Sequence, residues 1–417
     1  MANRLDSGGR AGALASTSAA ALVWQFVIQS AAGWYLNQAY IPDAKFAHQT
    51  MVSIMGATPH SIIAGLHYWG GAFFLAHSLI HLAILMFSGM FKPPNHWRWF
   101  TAILFVVCAM LFQVTGNLLP FDRHGVQSAA IEGGIIASVP GNQYVAGVLM
   151  GGQPSFGEGT LPTWYFAHRL LIPIALVIGL LASWGTYFGR DRGKTYGIVA
   201  FLFAFVPLAI AFGIPRPLGS AATSADYNLF SATVGWYSWP MHGSLNAFNQ
   251  IDPSLGWVGS AVIPMLFGLF LLTAPILSKK LANAGIQFVF VLFVAYFVTV
   301  AVVFGGRPAA LTGTRDPVVR ENSPSSPVGD AIDEALAERG RSAFNAGPCV
   351  GCHGLDGEHS KGGPNLKGIG SLQTDARWFI EFIRNPQTKK PGTTMPGFSN
   401  LDQETVRAIA EFLRSKR

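Results

Sequence analysis

Charged residues are scarce in this chain. Asp and Glu total 21 and Lys and Arg total 28 among 417 residues, so only 12% of the chain is charged. Soluble proteins carry about 25% charged residues, and this shortfall excludes an ordinary soluble globular protein. Hydrophobic residues make up 50% of the chain instead, and we therefore expect a membrane protein.

Cysteines are also few, namely Cys108, Cys349 and Cys352. Three thiols cannot build a disulfide scaffold. A basic, polar domain of the kind that binds nucleic acid is missing too, although the net charge is +7. Membrane proteins carry excess Lys and Arg on their cytoplasmic flanks, and this accounts for the positive charge.

Long apolar runs recur through the first three quarters of the chain, each near the roughly 20 residues that cross a bilayer. We predict seven membrane-spanning helices, over residues 17–38, 62–90, 99–119, 167–188, 195–214, 256–277 and 284–304. A signal peptide is a rival interpretation of the first run, because Arg4 and Arg10 precede it. We find no convincing cleavage site and prefer an uncleaved helix.

The composition changes abruptly after residue 304. Residues 305–330 are rich in Gly, Pro and Ser, which predicts a linker. Residues 331–417 then form a polar unit of domain size. We therefore divide the chain into a membrane domain over 1–304, this linker and a C-terminal domain.

The distribution of Lys and Arg predicts the orientation in the membrane. Short segments on one side of the predicted helices hold nine such residues: Arg4, Arg10, Lys92, Arg98, Arg190, Arg192, Lys194, Lys279 and Lys280. The longer segments on the other side hold four: Lys45, Arg123, Arg169 and Arg216. We expect the first set to be cytoplasmic, and seven crossings then place the C-terminal domain outside the cytoplasm.

A C-x-x-C-H sequence at residues 349–353 is the attachment signature of c-type haem. In such a site Cys349 and Cys352 bind the haem covalently, and His353 becomes the proximal iron ligand. A redox dithiol and a zinc site are competing interpretations, but neither requires a His directly after the second Cys.

The sequence around this motif supports the haem interpretation. Gly-Pro-Asn-Leu follows at 363–366, Met395 lies further on, and residues 401–417 show apolar residues at helical spacing. Residues 331–417 thus resemble a small class I cytochrome c. The resemblance implies that Met395 is the sixth iron ligand, and a His/Met pair raises the reduction potential.

Two histidines, His67 and His81, lie on the second predicted helix. Their separation of 14 residues, at about 100° per residue, leaves both on one face and roughly 21 Å apart. A polar side chain at this depth is costly, and a pair in this register points to function. The spacing suits one haem near each membrane surface.

The sequence around His67 resembles the second helix of cytochrome b from respiratory and photosynthetic bc complexes. Further similar stretches follow in the same order: Ala39–Asp43, Thr115–Pro120, Gly151–Phe156, His168–Pro173 and, for the later half of the family, 230–277. The resemblance spans about 17–304 and implies that His67 and His168 together ligate an outer-side haem b.

The family pattern is incomplete at the second haem site. The family's fourth helix offers another His 14 residues after the first, but Ala182, followed by Ser183, stands there. The haem near His81 is therefore missing, five-coordinate or held by an unusual ligand such as His77. The Arg residues that neighbour the propionates in the family are replaced by Ala64 and Ile84. We expect one haem b, with a second possible at His81.

The quinol motif of the family, Pro-Glu-Trp-Tyr, is degenerate as well. Val234-Gly235-Trp236-Tyr237 stands in its place, so that Trp236 and Tyr237 remain quinone-site candidates while the proton-accepting Glu has become Gly235. A similar string at 162–166 precedes the fourth helix and is a decoy. Candidate substitutes for the lost proton acceptor are His242, Asp226, Asp122, His124, Glu132 and Glu158.

These features predict an all-α protein: a seven-helix transmembrane cytochrome b-like bundle plus a small all-α cytochrome c domain, in a bacterial-type inner membrane with the latter domain on the outer side. The leading functional hypothesis is an electron-transfer subunit of a quinol–cytochrome c oxidoreductase-like complex. It would link the quinone pool, or partners such as a Rieske iron–sulfur protein or further cytochromes, to a high-potential acceptor through haem b and haem c. The alternative is a repurposed scaffold that anchors haem c and docks another membrane complex without quinol catalysis.

Overall fold

The computed structural model describes residues 10–152, 156–157, 159–188, 196–222, 234–306, 332–346, 348–351, 353–355, 363–390, 393, 395, 397–398 and 401–416. Within these ranges the regular structure is helical, apart from one isolated bridge between Asp122 and Ala221. The predicted all-α class is confirmed. Contacts divide the chain into two units, Met1–Phe248 with Gly256–Pro308, and Asn249–Leu255 with Ala309–Arg417.

The first unit contains most of the helices. They are α1 Arg10–Asn37, α2 Ala47–Gly56, α3 Thr58–Phe87, α4 His96–Leu118, α5 Arg123–Ser138, α6 Gln143–Leu149, α7 Thr160–Phe166, α8 Ile172–Phe188, α9 Gly197–Ala204, α10 Val206–Gly213, α11 Trp239–Ile251, α12 Ile263–Leu277 and α13 Asn283–Val300. A 3₁₀ turn, Trp236–Ser238, precedes α11. A π-helical turn, Ala167–Leu171, joins α7 to α8.

Six of the predicted spans are present among the described residues as helices long and apolar enough to cross a membrane. They are Arg10–Asn37, Thr58–Phe87, His96–Leu118, Thr160–Gly185, Val258–Leu277 and Asn283–Gly305. The remaining segment, 195–214, forms α9 and α10, which are separated at Phe205 just before Pro207. Pro lacks a backbone N–H and starts a helix better than it continues one. The count of seven crossings stays a prediction.

Helix α3 has local signals at both ends. Pro59 occupies its first turn, where a missing N–H costs nothing. Beyond its last residue Gly89 adopts a left-handed φ of 66°, and the Met90 amide donates to the Leu85 carbonyl at 2.8 Å. Such a glycine ends a helix without steric penalty. These signals define the helix that carries His67 and His81.

The core of the first unit forms where α3 packs against α1, α4 and α10, and α4 packs against α8. One cluster of buried side chains, including Leu22, Phe74, Phe105 and Leu176, joins α1, α3, α4 and α8. These four helices therefore form one bundle, and the histidines of α3 lie inside it.

The second unit is a small helical domain. Its helices are α14 Glu334–Ala346, α15 Ile369–Leu372, α16 Ala376–Arg384, α17 Pro386–Lys389 and α18 Gln403–Ser415. Helices α14 and α18 cross closely at Gly340, where an added Cβ would lie 1.9 Å from the Ala408 carbonyl oxygen. The Phe344 and Phe412 rings, 5.6 Å apart, fill the core beside the crossing.

Candidate redox sites

The structure brings His67 of α3 and His168 of the π-helical turn together. Their ring centroids are 6.0 Å apart and the ring planes are inclined by 71°. The π-helical turn ends two residues before Pro173, which cannot donate the regular helical hydrogen bond. Such turns are frequent at functional sites, and this one lies where His168 faces the bundle interior.

Small residues make room for both rings. An added Cβ at Gly33 of α1 would lie 3.1 Å from His67 Cε1, and one at Gly116 of α4 would lie 2.8 Å from His168 Cε1. The Thr115 hydroxyl donates to the Leu111 carbonyl at 2.6 Å, so it accepts the 2.9 Å hydrogen bond from His168 Nδ1. This bond leaves Nε2 of His168 available as a ligand.

The pair fits a bis-imidazole haem. With metal–nitrogen distances of about 2 Å, two axial imidazoles on one metal have centroids about 6 Å apart, which matches the observed spacing. His67 Nδ1 is buried and has no hydrogen-bond partner among the described residues. Two neutral imidazoles from different helices, flanked by glycines, are the donor set that haem b requires.

The environment of His81 is different. Its Nδ1 lies 3.0 Å from the Ser18 hydroxyl, and the same hydroxyl lies 3.0 Å from His77 Nε2. Gln25 donates to His77 Nδ1 at 2.9 Å, so the chain of polar groups runs from α1 into α3. On α8, the Ser183 hydroxyl donates to the Gly179 carbonyl of its own helix at 2.8 Å. His81 is thus bonded into a polar network with α1.

In the second unit, His353 is held in a fixed orientation. Its Nδ1 donates to the Pro364 carbonyl at 2.9 Å, and its backbone amide donates to the Cys349 carbonyl at 2.9 Å. Nε2 is then free to ligate iron. Met395 is half-buried, whereas Cys352 lies outside the described residues. The thiol, imidazole and carbonyl groups present fit a covalently attached haem c.

A buried carboxyl lies beside the degenerate quinol motif. Glu132 of α5 accepts hydrogen bonds from Ser238 Oγ at 2.9 Å and Ser128 Oγ at 3.3 Å. The Tyr237 hydroxyl lies next to the same carboxyl. Burial raises the pKa of Glu132 to about 7, against the lowering effect of these hydroxyl groups. Helix α5 and the 3₁₀ turn therefore form one polar pocket, which we call the Glu132 pocket.

The other residues predicted around the quinol motif are dispersed. Tyr237 is buried in the Glu132 pocket, whereas Trp236 is 45% exposed. His242 is buried, and its Nδ1 donates to the Gly305 carbonyl at 3.1 Å. Asp226 and Glu158 lie outside the described residues. His124 is exposed at the start of α5.

Asp122 stabilises the start of α5 and holds a neighbouring loop against it. Its carboxylate caps α5 by accepting from the Gly125 amide at 2.8 Å, and it also accepts from the Gly219 amide at 2.9 Å. Those bonds bring the loop after α10 to the start of α5. The same loop carries the half-buried Arg216, whose Nε is buried and whose guanidinium lies 5.6 Å from the Tyr68 ring centroid; its charge acts on His67.

Comparisons with known proteins identify the families that both units match. Residues 72–210 match the family model described as cytochrome b (N-terminal)/b6/petB, and residues 337–417 match the cytochrome c model. Over 159 residues the chain is 30% identical to cytochrome b6 of Synechocystis sp., which covers 37% of this chain and 71% of that protein. The chain belongs to the cytochrome b family. It carries a cytochrome c domain in addition, and this combination gives a multi-pass membrane protein with an electron-transfer role that binds haem b and haem c.

A second curated protein and a solved structure are also similar to this chain. The menaquinol:cytochrome c reductase cytochrome b subunit of Geobacillus thermodenitrificans is 28% identical over 159 residues, or 38% of this chain and 70% of that protein. A chain of the solved hyperthermophilic respiratory Complex III is 20% identical, with a TM-score of 0.42 over 69% of this chain and 90% of that chain. The similarity of 230–277 to the later half of cytochrome b stays a prediction.

Two features of the cytochrome b unit were not identified from the sequence. Arg216 counted only as a loop charge, although its guanidinium lies beside Tyr68. Gly33 stood among 47 glycines with no local signal, and Gly116 lay in the similar stretch Thr115–Pro120 without a role being assigned to it. Their importance follows from the helices that they face.

Proposed function

We propose that this chain is an electron-transfer subunit of a cytochrome bc-type or derived respiratory or photosynthetic complex. It passes electrons between the quinone pool or partner redox subunits and a high-potential acceptor, through one haem b and one haem c. The observation that supports this proposal is the His67–His168 pair. The two ring centroids are 6.0 Å apart and lie beside glycines, in a chain that also contains the C-x-x-C-H motif. Haem, when bound at either place, supplies a one-electron iron couple.

The proposed ligands follow from this assignment. His67 and His168 hold haem b, while Cys349 and Cys352 attach haem c. The iron of haem c takes the remaining pair, His353 and Met395. In domain terms, residues 1–304 form the cytochrome b-like membrane domain, 305–330 the linker and 331–417 the class I cytochrome c domain on the outer side of an inner membrane.

Residues next to the proposed ligands orient the imidazole rings and place a positive charge near one of them. Thr115 and Pro364 each accept the Nδ1 proton of one imidazole and so keep Nε2 directed at the metal position. The Arg216 guanidinium places a positive charge near His67. Arg216 thus supplies, from another part of the chain, the positive charge that an Arg provides in the family at the position of Ala64.

A quinol donor is the proposed source of electrons. One relative is a menaquinol:cytochrome c reductase subunit by name, and this supports a quinol as donor here. Partner subunits such as a Rieske iron–sulfur protein or further cytochromes would complete the path.

The scaffold function is the second candidate. Gly235 where the family has Glu, and the bonding of His81 to Ser18, both favour it. A chain of this kind would anchor haem c and dock another membrane complex without oxidising quinol.

Quinol-driven reduction of membranes that hold the whole complex distinguishes the two functions. With duroquinol as electron donor, we expect both the haem b and the haem c absorbance to appear. His168→Ala should abolish the b band and slow haem c reduction, because it removes one axial ligand. The matched control is His96→Ala, which removes a histidine at the first residue of α4 that has no proposed role in the electron path. Haem c reduction at the wild-type rate in His168→Ala would contradict the proposal and support the scaffold.

A further inference from the structure

The Glu132 pocket contains a group that the electron path does not use. We propose that the Glu132 carboxylate is the proton acceptor of the quinol site, in place of the Glu that is absent at position 235. This inference rests on the proposed function, because it requires a quinol as the electron donor. It assigns the acceptor to α5, about a hundred residues before the degenerate motif in sequence.

Hydrogen bonds connect Glu132 directly to the motif. Ser238 donates to Oε1 at 2.9 Å, and Ser128 donates to the same oxygen at 3.3 Å. The Gly235 amide in turn donates to Ser128 Oγ at 3.4 Å. The carboxyl is therefore held against the backbone of residue 235 and the side chain of residue 238.

Position 235 itself has no space for a side chain. An added Cβ there would lie 2.3 Å from Tyr237 Cε1 and 2.7 Å from its Cζ. Contacts below 3.0 Å require one of the groups to move, and the Tyr237 ring is 5% exposed and packed in the core. A Glu at 235 would therefore require the Tyr237 ring to move, whereas α5 already brings a carboxyl to the same place.

Two polar atoms of the pocket are available to a ligand. Glu132 is 8% exposed, and its Oε2 has no hydrogen-bond partner in the part of the chain that the structure describes. The Tyr237 hydroxyl is buried as well, and no described residue forms a well-aligned hydrogen bond with it. Buried polar groups are normally bonded. These two neighbouring atoms act on each other electrostatically but lack a well-formed hydrogen bond, and they are therefore the atoms that a ligand hydroxyl would meet.

The charge environment suits proton exchange near neutrality. Burial raises the pKa of Glu132 to about 7, close to the value that is best for a general base at that pH. Burial also raises the pKa of Tyr237 well above its ordinary value, with Glu132 adding to the effect. Asn117 of α4, beside the Tyr237 hydroxyl, is neutral. Of these described groups, Glu132 is therefore the one that titrates near pH 7.

The step is a proton transfer. One quinol O–H bond breaks, a new O–H bond forms at Glu132 Oε2, and the products are a quinol monoanion and a neutral carboxyl. No electron moves in this step. Oxidation of the monoanion to the quinone would release two electrons, which the haems of the proposed electron path would accept one at a time, and the second quinol proton, which would pass to water. Glu132 releases its own proton before the next turnover.

The test is Glu132→Gln in membranes that hold the whole complex, with duroquinol as donor and haem b reduction recorded against pH. Gln has nearly the same size and cannot accept the proton. We expect the rate to fall roughly 10²–10⁴-fold, the contribution typical of a general base. Wild type should speed up as pH rises through about 7, and the variant should lose that step. Glu338→Gln, an exposed carboxylate on α14, is the control and should keep the wild-type profile.

Dithionite reduction shows whether haem b is retained, and Glu132→Asp provides a second variant that keeps a carboxylate. The Asp variant should be slower than wild type but should retain a pH step. A Gln variant within about threefold of wild type, or one that keeps the pH step, would overturn the assignment while the proposed function stands. An Asp variant with full haem b and no pH step would overturn it as well. Failure of duroquinol to reduce haem b in wild type would instead refute the proposed function itself.

Discussion

Single hydrogen bonds determine which imidazole nitrogen each candidate ligand presents. In one unit His168 Nδ1 donates to Thr115, and in the other His353 Nδ1 donates to Pro364. Each bond selects the tautomer whose Nε2 carries a lone pair, and it fixes the ring orientation. The chain thus uses the same device twice, with a hydroxyl in one case and a backbone carbonyl in the other.

Met395 permits a test at the same scale. Met395→Ala should lower the haem c midpoint potential and open its sixth coordination site, because a thioether stabilises ferrous iron. A decrease on the order of tenths of a volt is expected, since axial ligands tune haem potentials over about 0.8 V. Redox titration measures it, and Leu372→Ala, a truncation of an exposed side chain of the same unit, is the control. An unaltered midpoint would show that another residue is the sixth ligand.

At the scale of elements, prolines account for irregular helices at the haem b site and nearby. The π-helical turn that presents His168 ends two residues before Pro173, and a second π-helical turn, Val258–Val262, ends two residues before Pro264. Each Pro withdraws one regular hydrogen bond, and the preceding turn widens instead of breaking. The widened turn then sets the direction of His168 toward α3.

The crossing of α14 and α18 permits a test at this scale. Gly340→Ala gains about 1 kcal/mol of helix propensity, but its Cβ would overlap the Ala408 carbonyl, 1.9 Å away. Overpacking costs about 1–3 kcal/mol, and here the obstacle is backbone, so we expect net destabilisation. Thermal unfolding followed at the haem c band should show a Tm lower by several degrees. Ser342→Ala, exposed on the same helix, should leave Tm unchanged; equal melting of the two variants would contradict the close crossing.

At the scale of the whole membrane unit, the two histidines of α3 have unlike surroundings. His67 faces a second imidazole 6.0 Å away, whereas His81 is hydrogen-bonded to Ser18 in a network with His77 and Gln25. Buried polar groups satisfied by one another do not need a metal to offset their desolvation. This asymmetry argues for one haem b and against a relay of two haems across the membrane.

We therefore predict a haem b to haem c ratio of 1:1 in the purified chain. A pyridine haemochrome spectrum measures this ratio, because vinyl-bearing haem b and thioether-linked haem c absorb at different wavelengths. His81→Ala should leave the ratio unchanged, while His67→Ala should remove haem b. A ratio of 2:1 that falls to 1:1 in His81→Ala would show that His81 has recruited another ligand and that a second haem is present.

The sequence predicted the features that depend on residues close together in the chain. The apolar runs anticipated the six long helices, because the bilayer sets their length and composition. The C-x-x-C-H motif identified the cytochrome c domain, since the two attachment thiols and the proximal His lie within five residues. Such reasoning fails for Arg98. The sequence placed it among the cations of a short cytoplasmic segment, but it is fully buried in the first turn of α4.

The tertiary structure alone decided which distant side chains meet. The Glu132 pocket joins residues more than a hundred positions apart, and the glycine of α1 that faces His67 carries no sign of this role in its own segment. Helical periodicity tells which residues share a face, but not which face of another helix packs against it. Which buried polar group meets which partner depends on that packing. The sequence offered Glu132 as one of six candidate proton acceptors, and only the folded chain brings it to the degenerate motif.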